Sequence, residues 1–169
     1  NKYIEGALQI INSTYNVNNQ ELRVDGDVSL STNAVLNGAA GDVKFGSFTI
    51  NSGTTYNATS GTTTITSRTG GSGTYALENN GTFTHNKGTV AITDADNVVS
   101  LEIADDLYNL TLSGGTKKIR SNSTINNNLT ITSGDLYGHS GSLTLTVHGN
   151  TLISSGGSTG ATIAWTGTM

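Results

Sequence analysis

Short segments of alternating apolar and polar residues, separated by corners rich in Gly and Asn, recur along the whole chain. The alternation is clearest at residues 22–30 and 143–147, where Leu and Val take every second position apart from Gly26. A period of two is the signature of a strand with one buried face. Thr, Asn, Ser and Gly form more than half of the 169 residues, and all four disfavour helix interiors. The sequence therefore predicts a nearly all-β chain.

Alternation and corner residues also place the individual strands. We expect strands at residues 7–11, 21–31, 42–50, 62–67, 81–85, 88–93, 98–103, 107–113, 128–132, 142–148 and 161–165.

An internal repeat indicates how these strands are arranged. Residues 8–30 align with residues 129–153, and a weaker copy begins at Phe48. Each copy reads strand, polar turn, Tyr, polar turn, strand. Tyr15, Tyr56 and Tyr137 occupy the same place in the copies, so we expect all three to cap the core at a corner.

The repeat fits a single-stranded, right-handed parallel β-solenoid, or β-helix, forming one continuous domain over residues 1–169. Coils of roughly 20 to 25 residues predict about seven to eight turns. An antiparallel sandwich is the alternative, with hairpins at Asp25-Gly26, Asn37-Gly38 or Asn80-Gly81. The solenoid is favoured because Asn and Thr dominate strands and corners alike, and few Lys or Glu residues guard sheet edges.

Composition and charge narrow the range of partners. The net charge is -4 with only 8 Lys and Arg residues, which argues against nucleic acid binding. No apolar run is long enough to span a membrane, and no cysteine is present. Because the chain begins at Asn1 rather than Met, we expect it to be an excerpt of a longer chain.

The stretches LYNLTLSGGTKKI (residues 107–119) and STINNNLTITSGDLYGHSGSLTLTVHGNTLISSGG (residues 123–157) resemble a family of β-solenoid repeats. These Asn/Thr/Gly-rich repeats belong to bacterial surface proteins and to fibre-like structural proteins of tailed phages, marine ones especially. The preceding NNGTFTHNKGTVAIT (residues 79–93) is similar to the block that comes just before them in that family. The resemblance implies a shaft, fibre or surface scaffold, often oligomeric, with no catalytic residues.

We therefore expect a non-enzymatic structural or adhesive segment of an extracellular or virion appendage. Its expected partners are copies of itself, as in a trimer, other virion or surface proteins, or a cell-surface glycan. A carbohydrate-binding or carbohydrate-cleaving β-helix module is the alternative, but Arg23, Arg68 and Arg120 are scattered relative to the carboxylates. The histidines, at positions 85, 139 and 148, show no spacing typical of a metal or catalytic site.

An ice-binding solenoid is a further alternative, since pairs such as Thr62/Thr64, Thr130/Thr132 and Thr144/Thr146 could form a flat hydroxyl face. Such a face needs the pair at the same place on every coil. Asn86/Gly88 and Lys117/Lys118 are expected to interrupt it.

No residue stands out as catalytic or cofactor-binding. Asp94 and Asp96 are weak candidates for a structural Ca²⁺ site, because carboxylates on one side of a turn can hold that ion. The same residues also suit Asx turns. Tyr137, His139 and Trp165 are the candidates for contact with a glycan or with another copy of the chain.

Overall fold

The computed structural model describes residues 1–69, 74–94, 98–103, 105–139, 143–154, 157–159 and 162–165. Within these residues the chain is nearly all strand, wound into a parallel β-solenoid of about seven turns. The predicted fold class is confirmed, and the antiparallel sandwich is wrong because every strand pairing is parallel in the described part. Right-handed winding stays a prediction. The described residues contain no helix that could span a membrane.

Each coil consists of up to three short strands, one on each face. Coils one to four contain β1 (Lys2–Ile4), β2 (Leu8–Ile11), β3 (Thr14–Asn16), β4 (Leu22–Val24), β5 (Val28–Ser31), β6 (Val35–Asn37), β7 (Val43–Phe45), β8 (Phe48–Ile50), β9 (Thr55–Asn57), β10 (Thr62–Ile65), β11 (Tyr75–Asn79) and β12 (Thr82–Thr84). Coils five to eight contain β13 (Thr89–Ile92), β14 (Val98–Ile103), β15 (Asn109–Leu112), β16 (Thr116–Ile119), β17 (Ser123–Ile125), β18 (Leu129–Ile131), β19 (Gly134–Gly138), β20 (Thr144–Val147), β21 (Thr151–Ile153), β22 (Gly157–Thr159) and β23 (Thr162–Trp165).

These strands stack into three faces. The first face is an 8-stranded sheet, β1-β4-β7-β10-β13-β15-β18-β21, and the second is another, β2-β5-β8-β11-β14-β16-β19-β22. The third face is split into a lower sheet, β12-β9-β6-β3, and an upper sheet, β17-β20-β23. Coil five contributes no strand to the third face in the described residues. Among the described residues, Leu107 alone takes that place, through an isolated bridge to Ile125.

The core runs along the solenoid axis as columns of inward-facing side chains. On the first face, Phe45, Ile65, Ile92, Leu112 and Ile131 follow one another in register, and all are buried. Stacking apolar side chains from coil to coil removes them from water, which stabilises the solenoid. The predicted inward orientation of Leu145 and Val147 is confirmed, while Leu143 is only partly buried.

Aromatic rings connect the three faces in the lower half. Phe45 lies 5.0 Å from Phe48, Phe48 lies 4.9 Å from Tyr56, and Tyr56 lies 5.4 Å from Phe83, measured between ring centroids. All three pairs are edge-to-face, the arrangement that the charge distribution of aromatic rings favours. This cluster is the bulkiest part of the core.

Corners are tight where a small residue stacks on its counterpart in the next coil. The amide of Gly26 donates to the carbonyl of Gly6 (3.2 Å), and the amide of Gly46 donates to that of Gly26 (3.0 Å). A Cβ on Gly26 would lie 2.8 Å from the main-chain nitrogen of Ala7, so only Gly fits there. These corners divide each of the long predicted strands at 21–31 and 42–50 into two.

The predicted repeat is in phase for the copies at residues 8–30 and at Phe48, since Leu8, Val28 and Phe48 share one column. The copy at residues 129–153 is out of phase, because Leu129 begins a first-face strand whereas Leu8 begins a second-face strand. Tyr15 and Tyr56 therefore share a third-face column, as expected. The prediction for Tyr137 is wrong: it lies on the outside of β19 and is 37% exposed.

Candidate functional site

The three predicted contact residues lie on different parts of the surface. Tyr137 is exposed on the second face, beside Lys118 of the preceding coil. His139 follows β19 and is also exposed, with its main-chain amide donating to Ile119 (2.8 Å). Trp165 lies in β23 of the third face, where its main chain pairs with Val147, and its side chain is outside the described part. The fold thus keeps Tyr137 near His139 but puts Trp165 on another sheet.

Of the two predicted cation ligands, Asp94 is buried, whereas Asp96 lies outside the described residues. The main-chain carbonyl of Asp94 accepts a hydrogen bond from the ammonium of Lys117 (2.7 Å), which also donates to Gly115 (3.0 Å). Burial lowers the pKa of Lys117, and the negative charge of Asp94 partly offsets that effect. In the described part of the chain, no three His, Asp or Glu side chains come together as metal ligands. The Ca²⁺ site stays a prediction.

Several carboxylates bind groups of an adjacent coil rather than facing solvent freely. Asp27 accepts from the Ser47 hydroxyl (2.7 Å), and Asp42 accepts from the main-chain amide of Thr62 (2.7 Å). Each of these bonds joins residues 20 positions apart, which is one turn of the solenoid. These acidic side chains therefore hold successive coils in register.

A similar network lies at the outer side of coils one and two. Asp25 accepts hydrogen bonds from the guanidinium of Arg23 (2.7 Å) and the hydroxyl of Tyr3 (2.6 Å). The two bonds, that from Arg23 first, hold the pKa of Asp25 below its ordinary value. This carboxylate is therefore ionised and already engaged, which suits a surface tie between coils.

An open recess of about 410 Å³ lies on the third face, where the described part of coil five lacks a strand. We call it the coil-five recess; Phe83, Thr84, His85, Asp105 and Asp106 line it. The carboxylate of Asp105 takes the place of a main-chain partner and accepts from the amide of Phe83 (2.5 Å).

Leu107 does not extend the third-face ladder down to Phe83, because its main-chain groups are hydrogen-bonded to coil six. Its amide donates to Thr124 (2.9 Å), and its carbonyl accepts from Asn126 (2.8 Å). The main-chain carbonyl of Phe83 thus gains no ladder partner from Leu107. The recess is the consequence of a third face that pairs upward but not downward at coil five.

Side chains from three successive coils meet at the coil-five recess. The imidazole of His85 and the ring of Tyr108 lie 5.4 Å apart at an angle of 32°. The side-chain nitrogen of Asn126 lies 3.4 Å from Nε2 of His85 and 3.5 Å from the carboxylate of Asp106. The recess thus has an imidazole and two carboxylates in its lining, with a tyrosine ring and an amide beside the imidazole.

The Thr residues on the first face are aligned better than the sequence indicated. Thr64, Thr111 and Thr130 share an outward column, interrupted by Ala91. The expected interruptions were wrong: Lys117 and Lys118 belong to the second face, and Asn86 and Gly88 flank the corner before β13. Lys44 ends the column below Thr64.

Sequence reasoning did not find the coil-five recess. From the sequence, Asp105 and Asp106 form an acidic pair that is a weaker cation candidate than Asp94 and Asp96, and His85 is a turn or polar-face residue. The usable signal was the stretch at residues 94–106, whose five acidic residues make it more acidic than the rest of the repeat pattern. Comparison of the chain with protein-family models, with curated proteins and with solved structures finds no match.

Proposed function

We propose that this chain is a non-enzymatic structural segment, a stiff spacer within an extracellular or virion appendage that displays adhesive surfaces. The observation that carries the proposal is the use of polar side chains as ties between coils. Asn37 both donates to Asn16 (2.7 Å) and accepts from Asn57 (2.7 Å), which makes a continuous amide ladder along the lower third face.

The chemistry of a catalytic site needs side chains that remain available to a substrate. Here Asp27, Asp42 and Asp105 accept hydrogen bonds from neighbouring coils, and Arg23 is bound to Asp25. A repeating core combined with repeating polar ties resists bending and shear, because every coil is fixed to the one below it. This supports a mechanical role for the segment.

The proposal is tested by where the segment is found on virions or cells and by whether it cleaves glycans. Antibodies raised against the purified segment should label an appendage on virions or cells of the source organism by immunogold electron microscopy. The same segment should release no reducing ends or unsaturated products from a broad glycan panel. Labelling confined to freely secreted protein, or glycan turnover abolished by Asp105→Asn, would contradict the spacer role.

Modularity gives a second test. Because Leu22 pairs with both Lys2 and Val43, deletion of residues 22–42 removes one complete coil and leaves Lys2 facing Val43. The shortened segment should fold and lose about 4.8 Å of length, one strand separation, as measured by small-angle X-ray scattering. Deletion of residues 22–32 removes half a coil and should unfold the chain, since the following strands would occupy the wrong faces. Unfolding of the whole-coil deletion would contradict the modular spacer.

Water ordering is a second candidate function, favoured only by the shared column of Thr64, Thr111 and Thr130. Their hydroxyls form no hydrogen bond with other described residues, so they can bind water along the column, with a gap at Ala91. Thermal hysteresis of the segment that is lost in Thr111→Tyr would support this function. Equal freezing behaviour of the segment and a buffer control would contradict it.

A further inference from the structure

Donors and acceptors at the coil-five recess are mismatched in a way that the protein alone does not resolve. The main-chain amide of Lys87 donates to Nδ1 of His85 (2.9 Å), so the neutral imidazole carries its proton on Nε2. Nε2 is then a donor, and it faces the amide of Asn126 at 3.4 Å.

Neither orientation of the Asn126 amide satisfies both of its neighbours. When the side-chain nitrogen of Asn126 faces the recess, it can donate to the carboxylate of Asp106 (3.5 Å), but it then faces the N–H of His85, which is also a donor. When the side-chain oxygen faces the recess, it can accept from His85, but it then faces the carboxylate of Asp106, which is also an acceptor. Amide orientation is assigned from just such networks, and both separations exceed the usual length of a hydrogen bond. A hydroxyl group, which donates and accepts at once, would satisfy all three side chains.

The residues around the recess indicate which class of ligand would supply that hydroxyl group. Asp105 and Asp106 make the recess negative, which disfavours phosphates and acidic sugars. The imidazole of His85 lines the recess and offers a ring face against which the apolar face of a sugar can pack, and the ring of Tyr108 lies 5.4 Å from it. The recess volume of about 410 Å³ lies in the range of small-molecule sites.

We propose that the coil-five recess binds a neutral saccharide, with adjacent sugar hydroxyls bridging His85 Nε2, the Asn126 amide and the Asp106 carboxylate. Asp105 is the positioning residue, since its bond to the amide of Phe83 keeps the third face open. The spacer role does not depend on this site: coil deletion tests the spacer, and saccharide binding tests the recess.

Titration of the isotopically labelled segment with neutral methyl glycosides (glucoside, galactoside, mannoside and fucoside), followed by NMR of the histidine side chains, tests the proposal. At least one glycoside should shift the His85 resonances saturably. Asp106→Ala should weaken that binding about tenfold, as expected for loss of a hydrogen bond to a charged group. Asn126→Ala should weaken it as well, whereas Glu5→Ala, an exposed carboxylate at the other end, should not.

Amide spectra of the variants report whether the fold is retained, and a variant that unfolds is replaced by the conservative Asp106→Asn. Absence of any saturable shift overturns the proposal. Binding that survives both Asp106→Ala and Asn126→Ala overturns it too, because the sugar would then lie elsewhere, for instance at Tyr137. A His85 response to Ca²⁺ alone, without a response to any glycoside, overturns it in favour of a cation site.

Discussion

Coils one to four and coils five to eight share one register but fill it with different side chains. The lower coils pack Phe45, Phe48, Tyr56 and Phe83 edge to face across the three faces. The upper coils place Lys117 at an inward position, between Val99 and Leu136 in the ladder. The same winding therefore tolerates both an aromatic core and a buried cation.

The difference indicates where a solenoid of this kind has polar groups available for a ligand. In the lower coils the third face is a continuous 4-stranded sheet, and its amides are paired with one another. At coil five that sheet stops, a carboxylate replaces a main-chain partner, and the recess opens. Regular stacking leaves the polar groups of the lower coils paired with one another, and its interruption at coil five leaves an open recess.

The largest effect is expected from a charge in the upper core. Leu145 is fully buried, so Leu145→Asp places an unpaired carboxylate in an apolar column and should cost more than about 4 kcal/mol. Because coils contact only their neighbours, the damage should spread through coils six to eight before it reaches coil four. Hydrogen exchange should show lost protection above coil five and retained protection in the aromatic lower coils.

Thr146→Asp is the matched control for this variant, because Thr146 is adjacent but faces outward and is half-buried. It should change the stability by less than about 0.5 kcal/mol. Melting of Leu145→Asp like the wild type would mean that the assigned register of β20 is incorrect.

Much of the fold was predictable because burial imposes a period of two. Leu22, Val24, Val28 and Leu30 were assigned to the core from alternation alone, and all four are buried. The third-face strand β6 was missed, since three residues carry too little alternation to be recognised. The alignment of residues 129–153 with residues 8–30 was wrong for a related reason. Strands of all three faces have the same period of two, so the copies align equally well when one is shifted by one strand.

The coil-five recess was beyond prediction because it depends on contacts between coils. Asp105 replaces a main-chain partner of Phe83, 22 positions earlier, and nothing local in the sequence specifies that pairing. Lys117 is a similar case, since its inward position becomes understandable only with the carbonyls of Asp94 and Gly115 around its ammonium.

An intermediate effect is expected for that buried lysine. Lys117→Met removes two hydrogen bonds to main-chain carbonyls and should destabilise the chain by about 1–3 kcal/mol at neutral pH. Lys118→Met is the matched control, because the neighbouring side chain faces outward and is half-buried. Chemical denaturation of both variants measures the difference, and equal effects would contradict the buried role of Lys117.

The stability difference between the wild type and Lys117→Met should also depend on pH, in a direction set by the pKa of Lys117. Burial depresses the pKa of Lys117 in the folded state below its ordinary value of 10.5, so the unfolded chain binds that proton more tightly. The stability of the wild type should therefore rise relative to Lys117→Met as the pH increases from the folded pKa toward 10.5. Tyr56, whose pKa burial raises to about 12, contributes equally to both proteins and cancels in the comparison. A stability difference that narrows with rising pH would mean that the folded pKa is raised.

The smallest effect is expected in the lower ladder, where each bond is partly exposed. Asn37→Ala removes the bond to Asn16 and the bond from Asn57, and should cost about 1 kcal/mol, measured as a shift in urea midpoint. Asn16→Ala removes only one of these bonds and should cost about half as much. Once Asn37 is Ala, the further change Asn16→Ala removes no remaining ladder bond, so the double variant should match Asn37→Ala. Additive losses in the double variant would mean that the amides act singly through solvent and not as a ladder, which would remove the polar contribution to stiffness that distinguishes the lower coils.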